Sequence, residues 1–124
     1  MGQPVFRLRG VSKAFGNHVI LNDINLDINS GEIIGLIGAS GTGKTTLLNT
    51  LIGFLRPENG DVQFRLNHLL ATTDSEIYRS VFKKQKTVKQ VYGFASQVPS
   101  FYGGLTTKEN LRYFGNLHNL SGDA

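Results

Sequence analysis

Residues 38–45 read GASGTGKT, eight positions holding three glycines, one lysine and three hydroxyl side chains. Glycine lacks Cβ, so Gly38, Gly41 and Gly43 let the chain take positive φ and bring main-chain N–H groups within hydrogen-bond reach of an anion. Lys44 adds a full positive charge, suited to the outer phosphates of a triphosphate. Thr45 offers a hydroxyl to Mg²⁺, an ion that keeps its other positions for phosphate oxygens and water. Ser40 and Thr42 either hydrogen-bond phosphate or shape the loop, and Thr46 extends the same stretch of hydroxyls. The spacing is Gly38, four residues, then Gly43, Lys44 and Thr45, a pattern with a known phosphate-cradling mechanism.

Such a loop needs a strand before it and a helix after it. EIIGLIG at 32–38 is apolar without alternation, which predicts a strand buried on both faces. TTLLNTLIGF after the loop places Leu47, Leu48, Leu51 and Ile52 at helical spacing, and Gly53 with Pro57 closes that helix. Its start near Lys44 would aim unpaired N–H groups and the positive end of the helix dipole at the phosphates.

Around this centre, PVFRLRGVS and HVILNDINLDI read as half-buried strands. AFGN between them is a turn carrying an aromatic, and SGE at 30–32 is a tight turn. RPENG is a turn leading into a strand, DVQFRLN. SEIYRSVFKKQKTVKQ reads as a helix, with Ser75 as its cap and Ile77, Val81 and Phe82 on one face. QVYGFAS, 90–96, predicts a short strand. TTKENLRYFGNLHNL predicts a helix capped by Thr106 and Glu109, with Leu111, Phe114, Leu117 and His118 on its face.

Composition narrows the function classes. The chain has 124 residues, 40% apolar, enough for one modest domain with a core. It contains no cysteine, which removes disulfides, thiolate metal sites and cysteine nucleophiles and agrees with a reducing compartment. No apolar run is long enough to span a bilayer. The start has no signal-peptide core, and Phe6 stands where a myristoylation motif needs Ser or Thr. The net charge of +4 owes much to Lys83, Lys84, Lys86 and Lys89. These lysines read as a solvated helix face or as a contact for anionic headgroups or nucleic acid. No aromatics interleave with them, so specific nucleic-acid binding is not expected.

The order VSKAFG, then LNDINLDINSGEIIGLIGASGTGKTTLLNTLIGFLRPENGDV, then YGFASQVPSFYGGLTTKENL resembles the N-terminal portion of an ATP-binding cassette (ABC) transporter nucleotide-binding domain. The resemblance runs from about Phe6 to Leu120. It implies an α/β fold of the P-loop NTPase type, a RecA-like core with an N-terminal antiparallel β-subdomain, here truncated within 1–124. It implies ATP and Mg²⁺ as ligands. Phe15 matches the aromatic that stacks on adenine, or is a packing residue. Gln97 matches the glutamine that helps hold Mg²⁺ and the attacking water, which makes Lys44 and Gln97 the catalytic candidates; Gln85 and Gln90 fit that place poorly. Phe101 and Tyr102 are either partner contacts or packing residues. The implied partners are a transmembrane permease and a second nucleotide-binding domain, at the cytoplasmic face of the membrane.

The sequence also departs from that family. The stretch from Gly60 to Gln97 is longer than in compact members, which predicts a helical insertion or a longer β-hairpin. LSGDA at 120–124 follows Gln97 too closely to be the family signature, and Asp123 and Ala124 replace its Gly and Gln. HLLATTD, ending at Asp74, lacks the apolar run of a Walker B strand, and His18, His68 and His118 lie in the wrong segments for the switch histidine. The expectation is therefore a chain that grips nucleotide without hydrolysing it. EIIGLIG should have exposed edges, because its family neighbours come from later sequence. Two other readings stay open: a soluble ABC-type ATPase acting on nucleic acid or ribosomes, and a binding module without turnover. A GTPase is disfavoured, since Asn110 stands where a guanine motif needs Asp.

Overall fold

The computed structural model describes residues 3–65, 77–83, 89, 92–118 and 120. They fall in two units, residues 1–89 and 90–124. The first unit is organised by an antiparallel sheet of four strands in the order β2-β1-β3-β4. Its strands are β1 (Pro4–Phe15), β2 (His18–Asn29), β3 (Asn59–Arg65) and β4 (Tyr78–Ser80). Helix α1 (Lys44–Leu51) follows the glycine loop.

The period-two pattern sets the register. Phe6 faces Ile28, Leu8 faces Leu26 and Val11 faces Ile24 across β1 and β2, while Phe6 faces Phe64 and Leu8 faces Val62 across β1 and β3. One face is thereby apolar. Leu8, Val11, Leu21, Val62 and Val81 are buried on it, and the Phe6 and Phe64 rings pack 5.1 Å apart. The β1–β3 seam closes on Gly60. Its φ of +81° lies in the left-handed region, and a Cβ there would strike the carbonyls of Arg9 and Gly10. The preceding turn is tied to the same strand, because the Glu58 amide donates to the Ser12 carbonyl at 3.0 Å.

Residues 78–80 correct the helix expected over SEIYRSVFKKQKTVKQ. Gln63, Phe64 and Arg65 pair with Ser80, Arg79 and Tyr78, and the Val81 amide donates to the Val62 carbonyl at 2.9 Å. Among the described residues, 78–80 therefore extend the sheet beside β3, as the hairpin alternative expects, because burying Val81 against β3 overrides a local spacing that suits either period, while Lys89 is helical. Ser75 and the lysines at 84 and 86 lie outside the described residues, as do Gln85 and Gln90.

EIIGLIG is also corrected. Residues 32–39 form no strand, and Ile33 and Ile37 are 98% and 97% exposed. A strand exists only through a neighbour's ladder, and among the described residues none lies alongside this segment. With no strand there are no strand edges; what is exposed is the segment's apolar side chains, Ile33, Ile34, Leu36 and Ile37. α1 forms as predicted and ends at Ile52 and Gly53, the latter with φ of +81°.

In the second unit, residues 92–96 form no strand, a further correction of QVYGFAS, whose residues 90 and 91 lie outside the described set. Periodicity over so short a run cannot hold a strand without a partner. Helix α2 (Thr107–Leu117) has the predicted capping box. The Thr106 amide donates to Glu109 Oε2 at 2.7 Å and the Glu109 amide to Thr106 Oγ1 at 3.3 Å. The Thr106 amide, with help from its hydroxyl, holds the Glu109 carboxyl below its ordinary pKa. Tyr102 packs within this unit, its ring 5.1 Å from Tyr113 and 6.2 Å from Phe114, while Phe101 stays exposed.

Candidate functional site

The site is assembled at the junction of the β1–β2 hairpin, the glycine loop and α1. Gly43 is the joint. It caps α1 with φ of +98°, and a Cβ there would lie 2.7 Å from Ile20 Cγ2 and 3.2 Å from the Ile20 carbonyl oxygen. No other residue type lets the helix start this close to β2 in this conformation. Gly41 also has positive φ, at +79°. Gly38 does not, contrary to the sequence reading. Its lack of a side chain serves a close approach instead, since a Cβ would stand 2.8 Å from Thr42 Oγ1. That hydroxyl donates to the Ala39 carbonyl at 2.7 Å, so Thr42 shapes the loop.

The amides are what matter chemically. Among the described residues, no carbonyl or side chain takes the N–H groups of Gly41, Thr42, Gly43, Lys44 or Thr45. α1 has no side-chain cap and no acidic residue in its first turn, so its donors and dipole end are left for an outside acceptor. The contrast within the chain is direct: α2 satisfies its own N-terminus with Thr106 and Glu109. The Lys44 ammonium lies at the same loop, donating to the carbonyls of Gly38 at 2.7 Å and Ala39 at 2.5 Å. These are neutral acceptors, and among the described residues no carboxylate pairs with this lysine. Its charge is held in place without an acid to compete with phosphate. Ser40, Thr45 and Thr46 belong to the same stretch, and the loop from Gly38 to Thr42 is exposed.

Phe15 ends β1, opposite His18, with its ring half exposed. Ile20, which abuts Gly43, is two residues along β2 from His18, roughly 7 Å of strand. The hairpin tip therefore brings an open aromatic ring and an uncapped helix start to one end of the first unit. Two residues with a place here escaped the sequence reading. Lys13 places its ammonium 5.3 Å from the Phe15 ring centroid and 3.5 Å from Glu58 Oε1. A lysine two before an aromatic on a strand is the available hint. Gln97 lies in the second unit, exposed, in a segment without regular structure.

Helix start, glycine loop and antiparallel subdomain together define the ATP-binding domain class of P-loop NTPases, and the comparisons with known proteins narrow it. The ABC transporter family pattern matches residues 21–123, and the chain belongs to that family. It is 34% identical over 123 residues to the uncharacterised ABC transporter ATP-binding protein YdbJ of Bacillus subtilis (strain 168), covering 99% of this chain and 36% of that protein. It is 38% identical over 91 residues to the spermidine/putrescine import ATP-binding protein PotA of Vibrio vulnificus (strain YJ016), covering 73% of this chain and 22% of that one. A solved structure of an ATP-binding subunit of an ABC transporter superposes with a TM-score of 0.75 at 23% identity, over 94% of this chain and 44% of the other, a likeness of fold. The chain thus spans about a third or less of the length of these two relatives. Among the described residues, no helix is long and apolar enough to cross a membrane.

Proposed function

We propose that residues 1–124 are the N-terminal part of an ABC nucleotide-binding domain and grip ATP for a membrane transporter. The observation that carries this is the set of unclaimed amides from Gly41 to Thr45 beside the Lys44 ammonium. In this reading Gly38, Ser40, Gly41, Thr42, Gly43, Lys44, Thr45 and Thr46 hold the phosphates, and Lys44 moves from the loop carbonyls to the β- and γ-oxygens. Phe15 stacks on adenine. Thr45 would hold Mg²⁺, which when bound spreads the phosphate charge, and Gln97 is kept as a candidate ligand on its match to the family sequence pattern alone. Lys44 and Gln97 are the residues assigned to the chemistry.

The relatives' names support a partner in the membrane. The proposed assembly is a peripheral subunit on the cytoplasmic face, docked on a permease and paired with a second nucleotide-binding domain. The sequence has no apolar strand ending in Asp-Glu and no Leu-Ser-Gly-Gly-Gln segment. Hydrolysis depends on placing water and charge around a bound phosphate, so these 124 residues should bind without turnover. The test is calorimetry of the purified chain with Mg·ATP, together with a phosphate-release assay. Saturable one-to-one binding with release at the blank rate is expected. Absence of binding would overturn the proposal, and steady release would overturn the assignment of this chain as binding without turnover.

A further inference from the structure

Among the described ion pairs, Lys13 is the only lysine, and its side chain is only 15% exposed. Lysine is seldom buried without a partner that repays the lost hydration. Two groups meet its ammonium. One is Glu58, at 3.5 Å; the other is the face of the Phe15 ring, at 5.3 Å from the centroid. Neither is placed by chance. Lys13 and Phe15 are two residues apart on one strand, and the ammonium lies over the ring across a register shift of the β1–β2 pair. Glu58 is presented by a turn whose amide is bonded to the Ser12 carbonyl at 3.0 Å, one residue from Lys13. That turn follows α1, whose first residue is Lys44. On the other strand, Lys13 faces Leu21, and Gly43 packs on Ile20 and Leu21.

We infer that Lys13 is a positioning residue for nucleotide base binding: clamped by Glu58, its ammonium covers one face of Phe15 and fixes the ring so that the other face receives the base. This rests on the reading of Phe15 as the base platform. A half-exposed ring at a hairpin end turns freely about its side-chain bonds, and ordering it on binding costs entropy. A cation held within about 6 Å of the ring centroid removes that freedom beforehand. Glu58 keeps the cation from moving away into solvent. The ion pair thereby links the turn after the phosphate-binding helix to the aromatic that meets the base.

The experiment compares ATP with inorganic tripolyphosphate, which lacks a base, on the intact 124-residue chain and its variants. Phe15→Ala should weaken ATP on the order of tenfold, the scale of one lost base stack, and leave tripolyphosphate within about twofold. Lys13→Met should weaken ATP about fivefold with tripolyphosphate unchanged, Glu58→Gln should do the same to a smaller degree, and Lys13→Arg should restore ATP affinity. The double variant Lys13→Met/Phe15→Ala should be no weaker than Phe15→Ala alone, which a merely structural lysine would not produce. If Phe15→Ala selects against ATP but Lys13→Met does not, or if Lys13→Met weakens both ligands equally, the role given to Lys13 is wrong. If Phe15→Ala leaves ATP binding intact, the platform reading fails and this inference with it.

Discussion

Replacing Lys44 with alanine is expected to abolish measurable ATP binding, a loss of about 100-fold or more. The size follows from what the ammonium does. It stands at the loop mouth on two neutral carbonyls, at 2.7 and 2.5 Å, and can transfer to phosphate oxygens without leaving an acid unpaired. Each charge-assisted hydrogen bond to phosphate contributes roughly 1.5–3 kcal/mol, and 1.4 kcal/mol is a factor of ten. Two such bonds therefore account for two to four decades of affinity. The fold should not follow, because the lysine is absent from the buried core. Calorimetry and urea unfolding on the same sample separate the two effects. Retained affinity with bound Mg²⁺ in Lys44→Ala would contradict the role, and a collapse of the unfolding midpoint would mean that binding was lost with the structure.

The second large effect is expected at Gly60, outside the phosphate loop. Gly60→Ala meets two penalties together. An L side chain at φ of +81° carries left-handed strain, of order 1–2 kcal/mol. The new Cβ also meets the carbonyls of Arg9 and Gly10, which are main-chain atoms of a paired strand and cannot rotate aside. Relief requires β1 and β3 to separate, which uncovers Leu8 and Val62. A destabilisation of roughly 3 kcal/mol or more is expected, a large part of the total for a small domain. Gly93→Ala is the control, since nothing lies within 4 Å of its added Cβ and its φ is not positive. Urea unfolding with an unchanged midpoint for Gly60→Ala would refute the account of this seam.

What could be read from the residues was whatever a short stretch decides by itself. The phosphate loop, the start and end of α1, the Thr106–Glu109 cap and the alternation of β1 and β2 are all local, and each stands where it was expected. Residues 32–38 were misread because a strand is a property of two segments, and apolar composition does not bring a neighbour. Residues 77–82 were misread because Ile77, Val81 and Phe82 satisfy a helical spacing, while the pairing of 78–80 with β3 decided the outcome. Lys13 and Glu58 are 45 positions apart, and nothing in either neighbourhood announces an ion pair across the fold. Gly60 looked like one more turn glycine; only the approach of β1 shows why a Cβ is excluded.

The most direct measurement follows backbone amide resonances of the chain while tripolyphosphate, and then ATP, is added. The signals of Gly41, Thr42, Gly43, Lys44 and Thr45 are expected to shift together and saturate with either ligand, while those of Thr106 to Glu109 at the self-capped helix hold still. Binding that leaves the five loop amides unmoved, or that moves the start of α2 instead, would contradict their assignment to phosphate.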